Sequence, residues 1–457
     1  WDIEVHPGKR FLQHADGTPF LWLGGTVWGM SEWLTREDVD YYLDDRKEKG
    51  VNVIQICLLW GKRHDHPVGF YANAPNAYGL RALLYTDDIP DPAKPDITPG
   101  GSATSPNDYW DHVEYIFNAA EERGMYIAAL PVWGRRYVNA THQGHSLKMF
   151  NEQNAQVYGE FLGKRFQSSP NIIWVLGGDV KAVEKNRTVD KRSVYRSMAE
   201  GIAKGVTGEA VSWNEPDPVW DQVLMTYHPS GDPMVNSSAW FHSDPWLDFN
   251  MIETYVHRDR VYKAVSMDYN LDNPVKPTVM GEPNYEGHTN RVFAGAIHVR
   301  RQAYQTFFAG AAGFTYGAYS DKPKERGPLF SPFDDWKELL DLKGAQALPI
   351  LRDFLVDQQW YEWIPDTNLI IENEGEGEER IVCARIPEKR KLLVYFPENR
   401  QAKIQLPSYL KDKNINLTWF NTCSGETSKL ERKKTSEFIS LKPPPNFIDA
   451  VAIIECR

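Results

Sequence analysis

The sequence has few cysteines and no motif that groups them. Its 457 residues include only Cys57, Cys383, Cys423 and Cys456, which lie far apart. Because no CxxC pair is present, the sequence excludes a zinc ribbon and a thioredoxin-type motif. Cys57 lies within the apolar run "VNVIQICLLW", which predicts an inert buried thiol. For the chain as a whole we predict neither a metal site nor a bound cofactor.

Long apolar runs and basic clusters are also missing. No stretch approaches the roughly 18 apolar residues of a membrane-spanning helix, so no membrane span is predicted. The net charge is −11, and the one short basic run is "ERKK" at 431–434, which argues against a nucleic-acid partner. No leader peptide is recognisable from Trp1 onward, and we expect a periplasmic or secreted protein whose leader has been removed. The oligomeric state stays open.

Aromatic residues, by contrast, are abundant. The chain contains 16 Trp, 22 Tyr and 20 Phe. Many of these rings must belong to the core, but sugars also stack their C–H faces on aromatic rings. The composition therefore favours an oligosaccharide or polysaccharide ligand.

From about residue 20 to residue 320, short apolar runs alternate with amphipathic stretches. The apolar runs are continuous, as in strands buried on both faces, and they predict eight strands at 20–28, 51–60, 125–133, 172–179, 222–229, 247–254, 276–282 and 312–320. Helices are predicted at 35–50, 105–125, 148–166, 192–206 and 290–310. This α/β pattern predicts a (β/α)8 TIM barrel. An open doubly wound sheet is the alternative, but "GGTVWG" at 24–29 lacks the spacing of its phosphate loop.

After about residue 340 the pattern changes to short strands separated by Pro, Gly, Lys and Glu, without a helical period. Examples are "LLVYFP", "AKIQLP" and "INLTWFN". This pattern predicts a small antiparallel β-sandwich. We therefore divide the chain into a (β/α)8 barrel domain at 1–350 and a β-sandwich domain at 351–457.

Two predicted strands end in glycine followed by an acid. "IIWVLGGD" ends at Asp179, and "KPTVMGE" ends at Glu282. The two acids are about three β/α units apart, so they should face one another across the C-terminal mouth of a closed barrel. Glycosidases use two such carboxyl groups around one glycosidic bond. A carboxylate after a strand is often only a helix cap or an ion-pair member, but two matching strand ends favour catalysis.

Other strand ends supply candidate sugar contacts, although each of these residues, taken singly, is more often core or rim packing, and for His228 the two interpretations are even. They are Trp28, Trp60, Trp133, Tyr227, His228, Glu253 and Tyr316. His145 and His242 lie on loops, where binding residues concentrate.

Several segments together resemble glycoside hydrolase family 140, a bacterial family of (β/α)8 enzymes. They are "FLQHADGTPFLWLGGTVW", "LTREDVDYYLDDRKEKGVNVIQ", "NIIWVLGGD", "YHPSG", "LDFNMIET" and "VMGEPNYEG". "LTWFNTCSGE" at 417–426 resembles the β-sandwich that follows in that family and is labelled collagen-binding. The resemblance implies an apiosidase acting on the pectin rhamnogalacturonan II by retention. It also implies that Asp179 is the acid/base and Glu282 the nucleophile.

The chain departs from the family pattern at two strand ends. The family's Gly-Asp-Thr is Gly24-Gly25-Thr26 here, and its Gln-Ser-Gly-His is replaced by a segment that begins at Glu253. Because both positions are expected at the barrel mouth, we predict a glycan related to, but distinct from, the apiose-containing substrate.

Two functions are alternatives to that of a glycosidase. A metal-dependent barrel hydrolase would need clustered His and Asp ligands, and His64-Asp65-His66 offers such a pair, but on a loop past the second strand. A non-catalytic glycan-binding barrel is the other alternative, and the presence of both acids argues against it.

Overall fold

The structure, a computed structural model, describes residues 3–61, 72–141, 146–184, 188–231, 236–287, 293–319 and 336–456. His145 and the His64-Asp65-His66 segment lie outside these residues. In the described part of the chain, no helix is both long and apolar enough to cross a membrane.

Eight parallel strands form the first domain, and each lies within a strand predicted from the sequence. They are β1 (Trp22–Thr26), β2 (Val53–Cys57), β3 (Tyr126–Leu130), β4 (Ile172–Gly177), β5 (Met225–His228), β6 (Asn250–Glu253), β7 (Thr278–Glu282) and β8 (Gly313–Tyr316). Their hydrogen-bonded order is β5-β4-β3-β2-β1-β8-β7-β6. The prediction of a TIM-like barrel is therefore confirmed.

The barrel closes between β5 and β6 at a seam made largely by side chains. The Asp248 amide donates to the Met225 carbonyl (2.9 Å), and the Met225 amide donates to Asp248 Oδ2 (2.7 Å). Thr226 Oγ1 donates to the Phe249 carbonyl at 2.6 Å. Burial raises the pKa of Asp248 to about 8. The seam thus brings together the strands that carry His228 and Glu253.

Five longer helices match the predicted ones, and the helix Val261–Tyr269 was not predicted. Thr35 caps the helix Arg36–Glu48 by accepting from the Asp38 amide (3.2 Å). The helices are Met30–Trp33, Arg36–Glu48, Tyr109–Glu122, Gly134–Tyr137, Glu152–Arg165, Arg192–Thr207, Ser238–Phe241, Val261–Tyr269, Ala296–Phe308, Lys343–Gln346 and Leu348–Asp357. Short 3-10 turns lie at Trp220–Gln222, Arg258–Arg260, Glu338–Asp341, Trp360–Glu362, Thr367–Leu369, Gly377–Glu379 and Pro387–Lys389.

Smaller antiparallel sheets lie before β1 and in the segments that follow β2 and β4. Three short N-terminal strands, Ile3–Val5, Leu12–His14 and Pro19–Phe20, precede β1. A hairpin of Leu83–Thr86 and Ile89–Pro95 follows β2, and the pair Val183–Glu184 and Val189–Asp190 follows β4.

The C-terminal part is a two-sheet antiparallel domain, as predicted. The larger sheet has the order Ile364–Pro365, Val382–Ile386, Lys391–Phe396, Ala450–Cys456, Asn414–Asn421 and Glu431–Lys434. The smaller has the order Ile370–Glu372, Ala402–Gln405 and Phe438–Leu441. The expectation of no helix after about residue 340 is wrong, because Lys343–Gln346 and Leu348–Asp357 are helical. The division at 350/351 stays a prediction.

The larger C-terminal sheet is buried on both faces. Along one strand, Leu392 and Val394 pack against the smaller sheet, while Leu393 and Tyr395 join the core of the barrel. This alternation follows from the two-residue period of a strand. The barrel side of the contact is the helix Ala296–Phe308, whose Tyr304 ring stacks on Tyr395 at 4.9 Å between ring centres.

A buried ion pair joins the two domains. Arg300 Nη2 donates to Asp449 Oδ1 at 2.7 Å, and Arg300 Nε lies 3.2 and 3.1 Å from the two carboxylate oxygens. Tyr395 Oη donates to Asp449 Oδ2 at 3.2 Å. Burial opposes the charge on Arg300, but the bond to Asp449 and its charge more than offset burial and raise the Arg300 pKa. The two domains therefore share polar as well as apolar contacts.

Candidate active site

The chain reverses sharply after β4 and presents Asp179 at the barrel mouth. Gly177, Gly178 and Asp179 have φ values of +91°, +114° and +47°. Glycine adopts such values freely, and Asp is one of the few other residues that tolerates the left-handed region. The Asp179 side chain remains 23% exposed. The glycines before this acid are thus explained by backbone conformation.

The glycine before Glu282 has a different explanation. β6 and β7 pair as Ile252 with Met280 and then Glu253 with Glu282, so Gly281 is an extra residue in β7. Such a bulge turns the side chain that follows it to the other face of the strand. Without it, alternation along β7 would turn Glu282 toward the helices. The bulge therefore brings Glu282 beside Glu253 at the mouth.

His228, at the end of β5, connects the two predicted catalytic acids. The Gly178 amide donates to the His228 carbonyl (3.1 Å), and the Asp179 amide donates to His228 Nδ1 (3.2 Å). His228 Nε2 lies 3.2 Å from Glu282 Oε2, although this pair is not aligned as a hydrogen bond. The Pro229 carbonyl also lies 3.1 Å from Nδ1. In either tautomer, the imidazole lies between the Asp179 backbone and the Glu282 carboxylate.

Glu282 has a second neighbour that sequence reasoning missed. Tyr285 Oη donates to Glu282 Oε1 at 2.5 Å and accepts from Trp28 Nε1 at 3.1 Å. Burial, reinforced by the charge of Glu282, raises the Tyr285 pKa well above its usual value. Tyr285 therefore stays a neutral hydroxyl that donates to the Glu282 carboxyl group.

Asp179 pairs with Arg135, another residue that was not predicted. Arg135 Nη1 lies 2.5 Å from Asp179 Oδ2, and the charge of Asp179 raises the Arg135 pKa. Arg135 lies on the short helix Gly134–Tyr137 after β3, and its side chain is 42% exposed. The only sequence signal was its place in "WGRR", directly after a strand end.

The three tryptophans predicted as sugar contacts form one buried cluster. The ring centres of Trp28 and Trp133 are 4.8 Å apart, and those of Trp60 and Trp133 are 4.5 Å apart. Trp28 also meets the His228 ring edge-on at 5.3 Å. Their exposed fractions are 1%, 1% and 4%. In the described residues they therefore support His228, and a direct sugar contact stays a prediction.

Tyr227 and Tyr316 lie elsewhere than expected. Tyr227 precedes the inward-facing His228, so its side chain points outward, where Oη donates to the Val180 carbonyl (3.0 Å) and the ring packs on Tyr195. Tyr316 is buried and donates to Glu286 Oε2 at 2.7 Å. The expectation that these two rings contact sugar is wrong, because both are buried on the helix side of their strands.

Gly25 and His242 also lie away from the mouth. A side chain at Gly25 would meet Tyr42 Oη at 3.3 Å and Arg46 Cδ at 3.6 Å, both on the helix Arg36–Glu48. The predicted effect of Gly25 on specificity at the mouth is therefore wrong. His242 Nε2 lies 2.8 Å from the Pro274 carbonyl, which gives that imidazole a structural partner.

His228, Glu253 and Glu282 are the described residues that come closest to a metal-binding group. One ligand atom from each lies within 4.8 Å of the others. However, the imidazole turns Nε2 toward Glu282 and Nδ1 toward Glu253, 3.7 Å away. To share one metal ion with Glu253 and Glu282, a single imidazole nitrogen of His228 would have to face both carboxylates. Because each nitrogen faces a different carboxylate, the arrangement fits a series of polar contacts better than a metal site.

Comparison with known proteins assigns the chain to a family. A family model described as "Apiosidase-like, catalytic domain" matches residues 6–362. The chain belongs to the apiosidase-like family. The apiosidase-like domain is followed at residues 364–455 by a match to the "Putative collagen-binding domain of a collagenase".

Solved structures agree with this assignment. A protein titled "Glycoside hydrolase" is 27% identical, with a TM-score of 0.80 over 99% of this chain and 96% of its own. A family 5 glycoside hydrolase from Bacteroides vulgatus ATCC 8482 is 28% identical, with a TM-score of 0.79 over 99% of this chain and 93% of its own. A search of curated proteins found no match. This apiosidase-like protein is therefore a glycoside hydrolase, and a carbohydrate is its substrate class.

Proposed function

We propose that the protein releases an apiose-related sugar from a pectic glycan by a retaining mechanism, with Glu282 as nucleophile and Asp179 as acid/base. The observation that carries the proposal is the position of His228 between the Asp179 backbone and the Glu282 carboxylate. Through these two contacts, one imidazole lies against the backbone of one predicted catalytic acid and the carboxylate of the other.

The environments of the two acids suit different roles. Glu282 is buried and receives the Tyr285 hydroxyl, which holds one carboxylate oxygen and leaves the other free to attack. Asp179 is more exposed and lies where a leaving group can depart to solvent. Paired carboxyl groups in unlike surroundings are typical of glycosidases.

In the first step, Glu282 attacks the anomeric carbon while Asp179 gives its proton to the departing oxygen, and the glycosidic bond breaks. In the second step, Asp179 takes a proton from water, the water oxygen bonds to the anomeric carbon, and Glu282 leaves as a carboxylate. In the structure, Arg135 Nη1 donates to Asp179 Oδ2. The first step requires that the bound substrate displace Arg135 from Asp179.

The test is hydrolysis of apiosylated rhamnogalacturonan II fragments, with other pectic side chains assayed in parallel and with chelator present or absent. We expect Glu282→Gln and Asp179→Asn each to lower kcat by at least about a thousandfold. Asp190→Asn is the matched control, because Asp190 is an exposed acid paired with Arg192 at the surface.

The anomer that appears first in an NMR time course decides the stereochemistry. Retention requires carboxyl groups about 5–5.5 Å apart, and inversion about 6.5–9.5 Å. If the inverted anomer appears first, the nucleophile assignment is wrong. Loss of activity with chelator would favour the metal-dependent alternative, and binding without turnover would favour the non-catalytic one.

A further inference from the structure

Glu253 is a third buried carboxyl group at the mouth. Its Oε2 lies 3.7 Å from His228 Nδ1 on β5, and Glu282 faces it from β7 within the 4.8 Å cluster. The Gly231 amide donates to its carboxylate from the segment after β5. Asp179 and Arg135 act on it across the mouth through their charges. Its side chain is 4% exposed, so water does little to stabilise a charge there.

The two neighbouring glutamates have different polar neighbours. Glu282 accepts from the Tyr285 hydroxyl and faces His228 Nε2. Among the described residues, the Glu253 carboxylate receives the Gly231 amide and no hydroxyl, and its Oε2, like Glu282 Oε2, has no hydrogen-bond partner. His228 Nδ1 also lies farther from Glu253 (3.7 Å) than His228 Nε2 lies from Glu282 (3.2 Å). Two buried carboxylates this close do not both ionise readily, and the better-solvated one keeps the charge.

We propose that Glu253 is a positioning residue. It holds the single proton of the Glu253–Glu282 pair and thereby keeps Glu282 ionised for attack. This proposal rests on the proposed function. The proton sits on the carboxyl group that is more deeply buried and that receives no hydroxyl donor. Burial, followed by the charge of Glu282, raises the pKa of Glu253 well above its usual value, which agrees with this geometry.

The role predicts a difference between isosteric replacements. Glutamine keeps the shape of protonated Glu253 and a donor, but it cannot ionise. Methionine keeps much of the volume and has no donor. We expect Glu253→Met to lower kcat at least about tenfold with a smaller change in KM, and Glu253→Gln to restore most of that loss.

Two further measurements do not depend on turnover. Infrared spectroscopy at neutral pH should detect a protonated carboxylic acid in the native enzyme that is missing in Glu253→Gln. The thermal midpoint of Glu253→Gln should exceed that of the native enzyme by a margin that grows from about pH 4.5 toward pH 8. This follows because the unfolded chain gives up the Glu253 proton at its ordinary pKa and the folded chain keeps it.

Equal kcat values for the Gln and Met variants, or a native-minus-Glu253→Gln infrared difference spectrum without a carboxylic-acid band, would overturn the proposal. The difference is needed because buried Asp248, with a pKa of about 8, contributes a band to both proteins. If the acid is detected and the stability margin grows as expected, but no pectic glycan is cleaved, the proton assignment stands and the proposed function fails. The two hypotheses are thus tested separately.

Discussion

Removing Asp449 should destabilise the whole chain, because it leaves the Arg300 guanidinium buried without a counter-charge. The Asp449 side chain is fully buried and that of Arg300 is 7% exposed. Losing one partner of such a pair costs about 3–5 kcal/mol, since the remaining charge is uncompensated. We therefore expect Asp449→Leu to lower the free energy of unfolding by about 3–5 kcal/mol.

A double variant separates this cause from simple loss of packing. Arg300→Met combined with Asp449→Leu removes both charges and fills much of the same volume. Replacing a buried ion pair by apolar residues is often close to neutral. The double variant should thus be more stable than Asp449→Leu alone. Tyr395 loses its acceptor in both variants, so that cost cancels in the comparison.

Urea unfolding followed by tryptophan fluorescence measures these differences. Asp353→Leu is the matched control, because Asp353 pairs with Arg352 while their side chains are 65% and 40% exposed. That variant should change stability by less than about 1 kcal/mol. The reasoning is refuted if Asp449→Leu costs no more than Asp353→Leu, or if the double variant is less stable than Asp449→Leu.

Three further results are expected. Tyr285→Phe removes the donor to Glu282, so steady-state kinetics should give a kcat at least about tenfold lower; an unchanged kcat would contradict that role. Gly178→Ala places a side chain at φ +114° and should cost about 1–3 kcal/mol in urea unfolding, whereas a loss near zero would show that the turn relaxes. Burial lowers the pKa of His112 to about 4, so the protein should lose about 1.4 kcal/mol per pH unit as pH falls from about 6.5 toward 4. His112→Phe should flatten that slope in unfolding curves at several pH values, and an unchanged slope would contradict it.

The eight barrel strands could be predicted because strands buried on both faces are continuous apolar runs, such as "VNVIQICLLW" around β2. The helix Leu348–Asp357 was missed although its buried residues Leu348, Leu351, Phe354 and Leu355 recur at helical spacing. Ile350 and the exposed Val356 place apolar residues on its other face, and they obscure this period in the sequence "LPILRDFLVD".

At the site, the sequence predicts which strand ends carry the acids, but it does not predict the direction of their side chains. The Gly281 bulge depends on how β6 and β7 pair, and pairing is a property of two strands together. Tyr227 and Tyr316 could have been excluded by alternation, because residues next to inward-facing ones point outward. Tyr285 and Arg135 follow strand ends by three and five residues, where loop geometry decides what they reach.

The seam between β5 and β6 also bears on how substrate range can evolve in this enzyme. Most other strand junctions in the barrel are backbone ladders, which a single substitution does not lengthen. This junction depends on the Asp248 carboxylate and the Thr226 hydroxyl, which a single substitution can lengthen, shorten or remove. We therefore expect substitutions of Asp248 or Thr226 to change the distance between His228 and Glu253 while the other strand ends keep their register. Such substitutions would be one route by which the site adapts to a bulkier glycan.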